Sequence, residues 1–165
     1  MSVWRHVLAI ALLPVMAAIV LPALIVVGGD DAIDAGWGLL GLIPIGVGFF
    51  LWAWTVRLFA TVGEGTLAPW DPTSNLVVRG PYRHVRNPMI SGVLFVLLGE
   101  AAMFGSTALL IWAAAFFAVN ALYMPVVEEP GLRRRFGDEY DAYRANVPAW
   151  LPRLRPWPGP ADVRS

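Results

Sequence analysis

The sequence predicts an all-α polytopic membrane protein: four transmembrane helices, with a cytoplasmic loop and an amphipathic C-terminal tail that together form a pocket. Three observations lead there. Of 165 residues, 58% are hydrophobic and only 15% charged, against about 25% charged in ordinary soluble domains. Four apolar runs approach the roughly 20 residues that a spanning helix needs. All twelve basic residues are arginines, and they fall on one side when the four runs are folded back and forth. The chain reads as one domain, 1–165.

The first run, Val7 to Val27, follows Arg5 and is longer than the apolar region of a signal peptide, so it reads as a retained anchor. Pro14 and Pro22 should kink it. Gly28 to Gly36 is a turn carrying Asp30, Asp31 and Asp34 and no basic residue. The second span runs from about Trp37 to Ala60. Gly41, Gly46 and Gly48 suit close helix approach there, and Trp52 and Trp54 lie toward the Arg57 end, as an interfacial belt would.

Residues 61–88 form the longest polar connection, with turn formers Gly63, Gly65, Pro69, Asp71, Pro72 and Ser74. Its last part, Arg79 to Pro88, packs three arginines and His84 just ahead of an apolar run. Asn87 suits a helix N-cap and Pro88 the first helical position, where its missing N–H costs nothing. Asn87 to Phe104 is a short third span, Gly105-Ser106 a tight turn, and Thr107 to Val127 the fourth span. From Glu128 the chain is amphipathic: Leu132 and Phe136 share one face, and Tyr140, Tyr143 and Arg144 another. Val147 to Pro152 should lie back along the surface in extended form.

Arg57, Arg79, Arg83 and Arg86 fall between spans two and three, and the remaining seven arginines beyond Arg5 follow span four. The positive-inside rule then puts both termini and the long loop in the cytoplasm, as in a bacterial inner-membrane protein. Composition also excludes chemistries. Without lysine there is no Schiff base, and without cysteine no thiol nucleophile, disulfide or thiolate metal site. His6 and His84 are too few for a histidine metal cluster.

Two polar regions therefore meet at the cytoplasmic face: residues 74–90 and the tail from Glu128 to Tyr143. A helix N-terminus lined by arginines attracts an anion. Glu128 would face an ammonium or ribose hydroxyls, and Tyr82, Tyr140 or Tyr143 a cationic centre. S-adenosylmethionine carries all of these features. Methyl transfer from a sulfonium is an in-line displacement that positioning and water exclusion can drive.

Over residues 74–152 the chain resembles the isoprenylcysteine carboxyl methyltransferase and phospholipid methyltransferase superfamily of integral membrane enzymes. The first motif stands here as Leu76-Val77, Gly80-Pro81-Tyr82 and Arg86-Asn87-Pro88-Met89-Ile90-Ser91-Gly92. The second stands as Glu128-Glu129, Leu132, Phe136-Gly137, Tyr140, Tyr143 and Val147-Pro148. The resemblance implies S-adenosylmethionine contacts at Asn75, Leu76, Val77, Tyr82, Asn87, Pro88, Met89, Ile90 and Glu128, with Arg86 and Glu128 carrying the chemistry and no metal. It also implies a lipophilic acceptor entering from the bilayer, membrane lipids as partners and no nucleic acid.

Two positions depart from the superfamily pattern. Asn87 replaces a histidine and Ile90 a tyrosine. Met124 stands where the eukaryotic prenylcysteine enzymes resemble one another in an arginine, which argues against a prenylcysteine carboxylate. Simpler readings stand beside these. Arg79, Arg83 and Arg86 also suit anionic headgroups, His84 an interfacial ring, and Glu128 and Glu129 pairing with Arg133 or capping of the tail helix. Tyr140 and Tyr143 read as packing residues, and Arg133-Arg134-Arg135 as a solvated stripe. Glu100, inside span three near the outer turn, is left out of the site. Two rival functions remain: an NADPH-dependent sterol-reductase-like enzyme, and a non-catalytic membrane protein that keeps the pocket.

Overall fold

The computed structural model describes residues 16–29, 38–63 and 74–159. The first half of the first span, its Pro14, the Asp30–Asp34 turn and much of the 61–88 connection lie outside those residues. Everything described is helix, turn or irregular chain, with no strand.

Helix α1 spans Met16–Gly28 and opens with a π-helical turn, Met16–Val20, that ends two residues before Pro22. A widened turn is one way to absorb the hydrogen bond and clash that proline imposes. Helix α2 covers Gly38–Thr61, its first turn 3-10 in character, and helix α3 covers Pro88–Phe104. Helix α4, Thr107–Tyr123, starts at Ser106, whose hydroxyl accepts from Leu109 N at 3.3 Å. Of these segments, Gly38–Thr61 and the helix beginning at Thr107 are long and apolar enough to cross a bilayer; α1 and α3 are shorter apolar helices.

The helix of the fourth apolar run does not end at Val127. After Tyr123 the chain makes a second π-helical turn, Met124–Glu128, that contains Pro125, and continues directly into α5, Glu129–Asn146. The π turn accommodates the proline without breaking the helix. The break comes inside α5 at Gly137, with φ 50° and ψ −127°, a conformation that a residue with a Cβ resists. The two faces expected of the tail are one. Leu132 and Phe136 pack against the same cluster as Tyr140, Tyr143, Val147 and Trp157.

Helices α2 and α3 form the closest pair. They run antiparallel along a glycine seam: Gly41 faces Gly99, and Gly48 faces Gly92, each pair of glycines seven residues apart. A Cβ at Gly99 would stand 2.6 Å from the Gly41 carbonyl oxygen, and one at Gly92 2.9 Å from that of Gly48. Only glycine permits this approach, the usual device of helices that associate in lipid. Gly46, the third candidate, faces open space.

Around the seam, Ala18, Val93, Val96, Leu97 and Ala113 form a buried core packed by Trp52 and Trp112. Trp112 Nε1 donates to the Ala17 carbonyl at 2.9 Å, tying α4 to α1. The outer faces carry exposed large apolar residues, among them Ile43, Phe50, Ile111, Val119 and Leu122. An apolar surface of this extent marks contact with lipid or protein.

Candidate functional site

At the end of α2 opposite the Gly105–Ser106 turn, residues 74–88 and the C-terminal segment come together. Gly80 opens a 3-10 turn, Gly80–Arg83, with φ +54°; a Cβ there would meet the Trp54 ring at 3.0 Å. The turn buries Pro81 and Tyr82. The Tyr82 ring meets the Phe59 ring edge-on, centroids 5.6 Å apart, and its carbonyl accepts the Tyr143 hydroxyl at 2.8 Å. Burial pushes both phenols well above their usual range, Tyr82 further through the neighbouring Tyr143.

Arg86 is the polar centre. Its Nη1 donates to Glu129 Oε1 at 2.5 Å and to Tyr140 Oη at 3.4 Å. Arg144 Nε holds the other oxygen of Glu129 at 3.1 Å. The Arg86 and Glu129 side chains are 13% and 8% exposed, so this is a buried pair. Arg86 Nε is buried with no hydrogen-bond partner. Tyr140 lies against the cluster with its phenol raised, by burial first and then by the Glu129 charge, the two arginines partly opposing.

The residues singled out from the sequence are distributed around this centre. Leu76 packs on the Tyr140–Tyr143–Trp157 cluster and Val77 is buried. Asn75 is exposed, its Nδ2 donating to the Val62 carbonyl at 3.4 Å. Asn87 occupies the N-cap position of α3, but its side chain makes no cap; Nδ2 donates instead to the Ala149 carbonyl at 3.2 Å. Pro88 is buried in the first turn, and Met89 and Ile90 are half-buried. Glu128 is exposed at the end of the π turn, and its neighbour Glu129 is the carboxylate that meets Arg86.

Sequence reasoning missed the role of Glu129, although a signal existed. Glu129, Leu132, Phe136, Tyr140, Tyr143 and Val147 follow the three-and-four spacing of one helical stripe, and Glu128 lies off it. It also missed how the last segment is fixed. Residues 148–157 run back beside 83–87: Arg86 N donates to Pro148 O at 2.9 Å, Arg153 N to His84 O at 3.0 Å, and Trp157 N to Arg83 O at 2.9 Å. Side chains reinforce the pairing, with Arg83 Nε donating to Trp157 O at 2.6 Å and His84 Nδ1 lying 2.8 Å from Arg153 O.

Behind this strap lies a cavity of about 670 Å³, walled by Leu51 and Trp54 of α2, Leu94, Phe95 and Leu98 of α3, and Trp150 to Pro152 of the strap. Arg83, His84 and Ser91 are its polar lining. None of the residues to which the resemblance assigns cofactor contacts lines it. The site thus has two sides. A charged cluster around Arg86 faces the tail, and an apolar cavity lies across the 80–85 turn from it.

Searches of curated proteins and of solved structures return no match. A family model, that of the phospholipid methyltransferases, matches residues 37–139, from the second apolar helix through the Arg86 corner to the kinked tail helix. That stretch is more than half of the chain, and with it the chain belongs to the phospholipid methyltransferase family, within the membrane methyltransferase superfamily that also holds the isoprenylcysteine carboxyl methyltransferases.

Proposed function

We propose that this protein transfers a methyl group from S-adenosylmethionine to a small lipophilic acceptor bearing a carboxylate, amine or thiol, and that it does so as a four-span membrane protein with both termini and the site in the cytoplasm. Membership of the family supports methyl transfer. The one-sided arginine distribution supports the orientation.

The observation that carries the reading is the state of Arg86. One nitrogen is committed to Glu129, while Nε is buried and unpartnered beside the N-terminus of α3. A buried donor left without a partner costs about 1–3 kcal/mol, which a ligand acceptor recovers. The amino-acid carboxylate of the methyl donor fits it. Arg86 and the first amides of α3 would orient that end, and exposed Glu128 at the rim would take the ammonium or ribose hydroxyls. Asn75, Leu76, Val77, Asn87, Pro88, Met89 and Ile90 would complete the cradle, with Tyr82 packing behind the sulfonium. Bound there, the donor supplies an activated methyl; the chain contributes orientation and exclusion of water.

Calorimetry with S-adenosylhomocysteine tests the assignment. Wild type should bind, and Glu128→Gln should bind about tenfold more weakly, the worth of one charge-assisted hydrogen bond. Equal affinity in the two proteins removes the role given to Glu128.

A further inference from the structure

The cavity behind the strap is unevenly furnished. Its walls are aliphatic and aromatic, its volume of about 670 Å³ falls in the range that holds one small ligand, and its polar groups are few. Ser91 already spends its hydroxyl proton on the Asn87 carbonyl at 3.0 Å. Arg83 gives Nε to Trp157 O and has no carboxylate partner among the described residues. No acidic side chain lines the cavity.

His84 is the informative group. The Arg153 carbonyl can only accept, so the His84 nitrogen 2.8 Å from it, Nδ1, carries a hydrogen. The same residue holds the backbone of His84, through Arg153 N to His84 O at 3.0 Å. Ring and main chain are therefore clamped by one strap residue, and in the neutral ring Nε2 keeps its lone pair. Asn87, at the position where the superfamily pattern has histidine, spends its side chain on Ala149 and has no basic nitrogen to offer.

We infer that this cavity binds the methyl acceptor as a neutral weak acid, a thiol or phenol on one apolar chain, with His84 Nε2 accepting its proton. The chemistry of the three polar groups selects that class. An ammonium head would face the Arg83 cation, and a carboxylate has no proton to give Nε2. A neutral S–H or O–H donates to Nε2, and the anion that develops as its proton leaves is stabilised by Arg83. As the acceptor attacks, its S–H or O–H bond breaks, with the proton passing to Nε2. Its electron pair forms the bond to the methyl carbon, and the carbon–sulfur bond of the sulfonium donor breaks with its pair returning to sulfur. The transfer step rests on the methyltransferase reading above; the binding step does not.

The chain's two histidines make the test direct. Full-length protein labelled with ¹⁵N-histidine, in lipid nanodiscs, reports the protonation of each ring nitrogen, and His6→Asn assigns the His84 signals. Hexadecanethiol and a pentadecylphenol should shift the His84 Nε2 resonance, while hexadecylamine and hexadecane should not. His84→Gln, which keeps a donor toward Arg153, should weaken thiol binding about tenfold, the order of one hydrogen bond. An Nε2 resonance unmoved by the thiol and the phenol, or moved equally by hexadecane, overturns the inference. S-adenosylhomocysteine calorimetry on the same samples separates the two readings. Donor binding with a silent Nε2 sinks the acceptor site alone; a responsive Nε2 without donor binding leaves the acceptor site standing and removes the donor.

Discussion

Arg86 and Glu129 lie 43 positions apart in sequence and meet at 2.5 Å in a buried ion pair, with Arg144 closing the second carboxylate oxygen. This contact joins the loop before α3 to the tail helix. Removing one member of a buried pair strands the other charge, which costs about 3–5 kcal/mol. Glu129→Gln should therefore lower stability by about 3 kcal/mol, read as the unfolding midpoint in detergent. Glu128→Gln, on an exposed side chain, should stay within about 0.5 kcal/mol of wild type.

A second tie should be separable from the first. Tyr143 donates to the Tyr82 carbonyl from a position only 3% exposed. Tyr143→Phe keeps the packing and orphans that buried carbonyl, so it should cost about 1–2 kcal/mol in the same measurement.

The glycine seam makes a contrasting pair of variants. Gly99→Ala puts a methyl against the backbone of Gly41 and Ile45, where neither can yield without moving a helix. It should destabilise the α2–α3 pair by about 2 kcal/mol, within the usual cost of overpacking. Gly46→Ala, facing open space, should be neutral or slightly stabilising, since alanine favours helix. Thermal melts of the two side by side decide it.

Alkaline pH should unfold the site from the tail side. The phenols of Tyr82 and Tyr143 are raised above their usual value near 10 by burial. The native state thus holds protons that the unfolded chain releases, so the contribution of these two groups to stability is constant below about pH 10 and is lost as pH rises beyond it. Phenolate absorbance during a pH titration should show Tyr82 and Tyr143 ionising only together with loss of helical circular dichroism, and Tyr140 above the usual range as well. Free titration of all four in the folded protein contradicts this.

Much of this architecture is legible in the sequence because hydropathy and arginine placement are local signals. The described helices fall close to the apolar runs, and Gly41 and Gly48 could be named as close-approach positions. What escaped was register and return. Whether Glu128 or Glu129 turns inward depends on one step of helical phase, which the π turn at Pro125 resets. The tail's apolar residues, read as two faces, gather in one cluster on either side of the bend at Gly137. The strap from Pro148 to Trp157 is held mainly by main-chain hydrogen bonds to Arg83, His84 and Arg86, and main-chain pairing leaves no residue pattern to read. For the same reason Asn87, a sound N-cap by composition, gives its side chain to a carbonyl that sequence could not bring near.

Transfer of a labelled methyl group tests the account most directly. Purified full-length protein, incubated with methyl-tritiated S-adenosylmethionine and a membrane lipid extract, should move label into the organic phase, and Arg86→Lys, which keeps a cation against Glu129 but loses the Nε donor, should abolish the transfer while leaving the helices intact by circular dichroism. A folded wild-type protein that moves no label and binds no S-adenosylhomocysteine would contradict it.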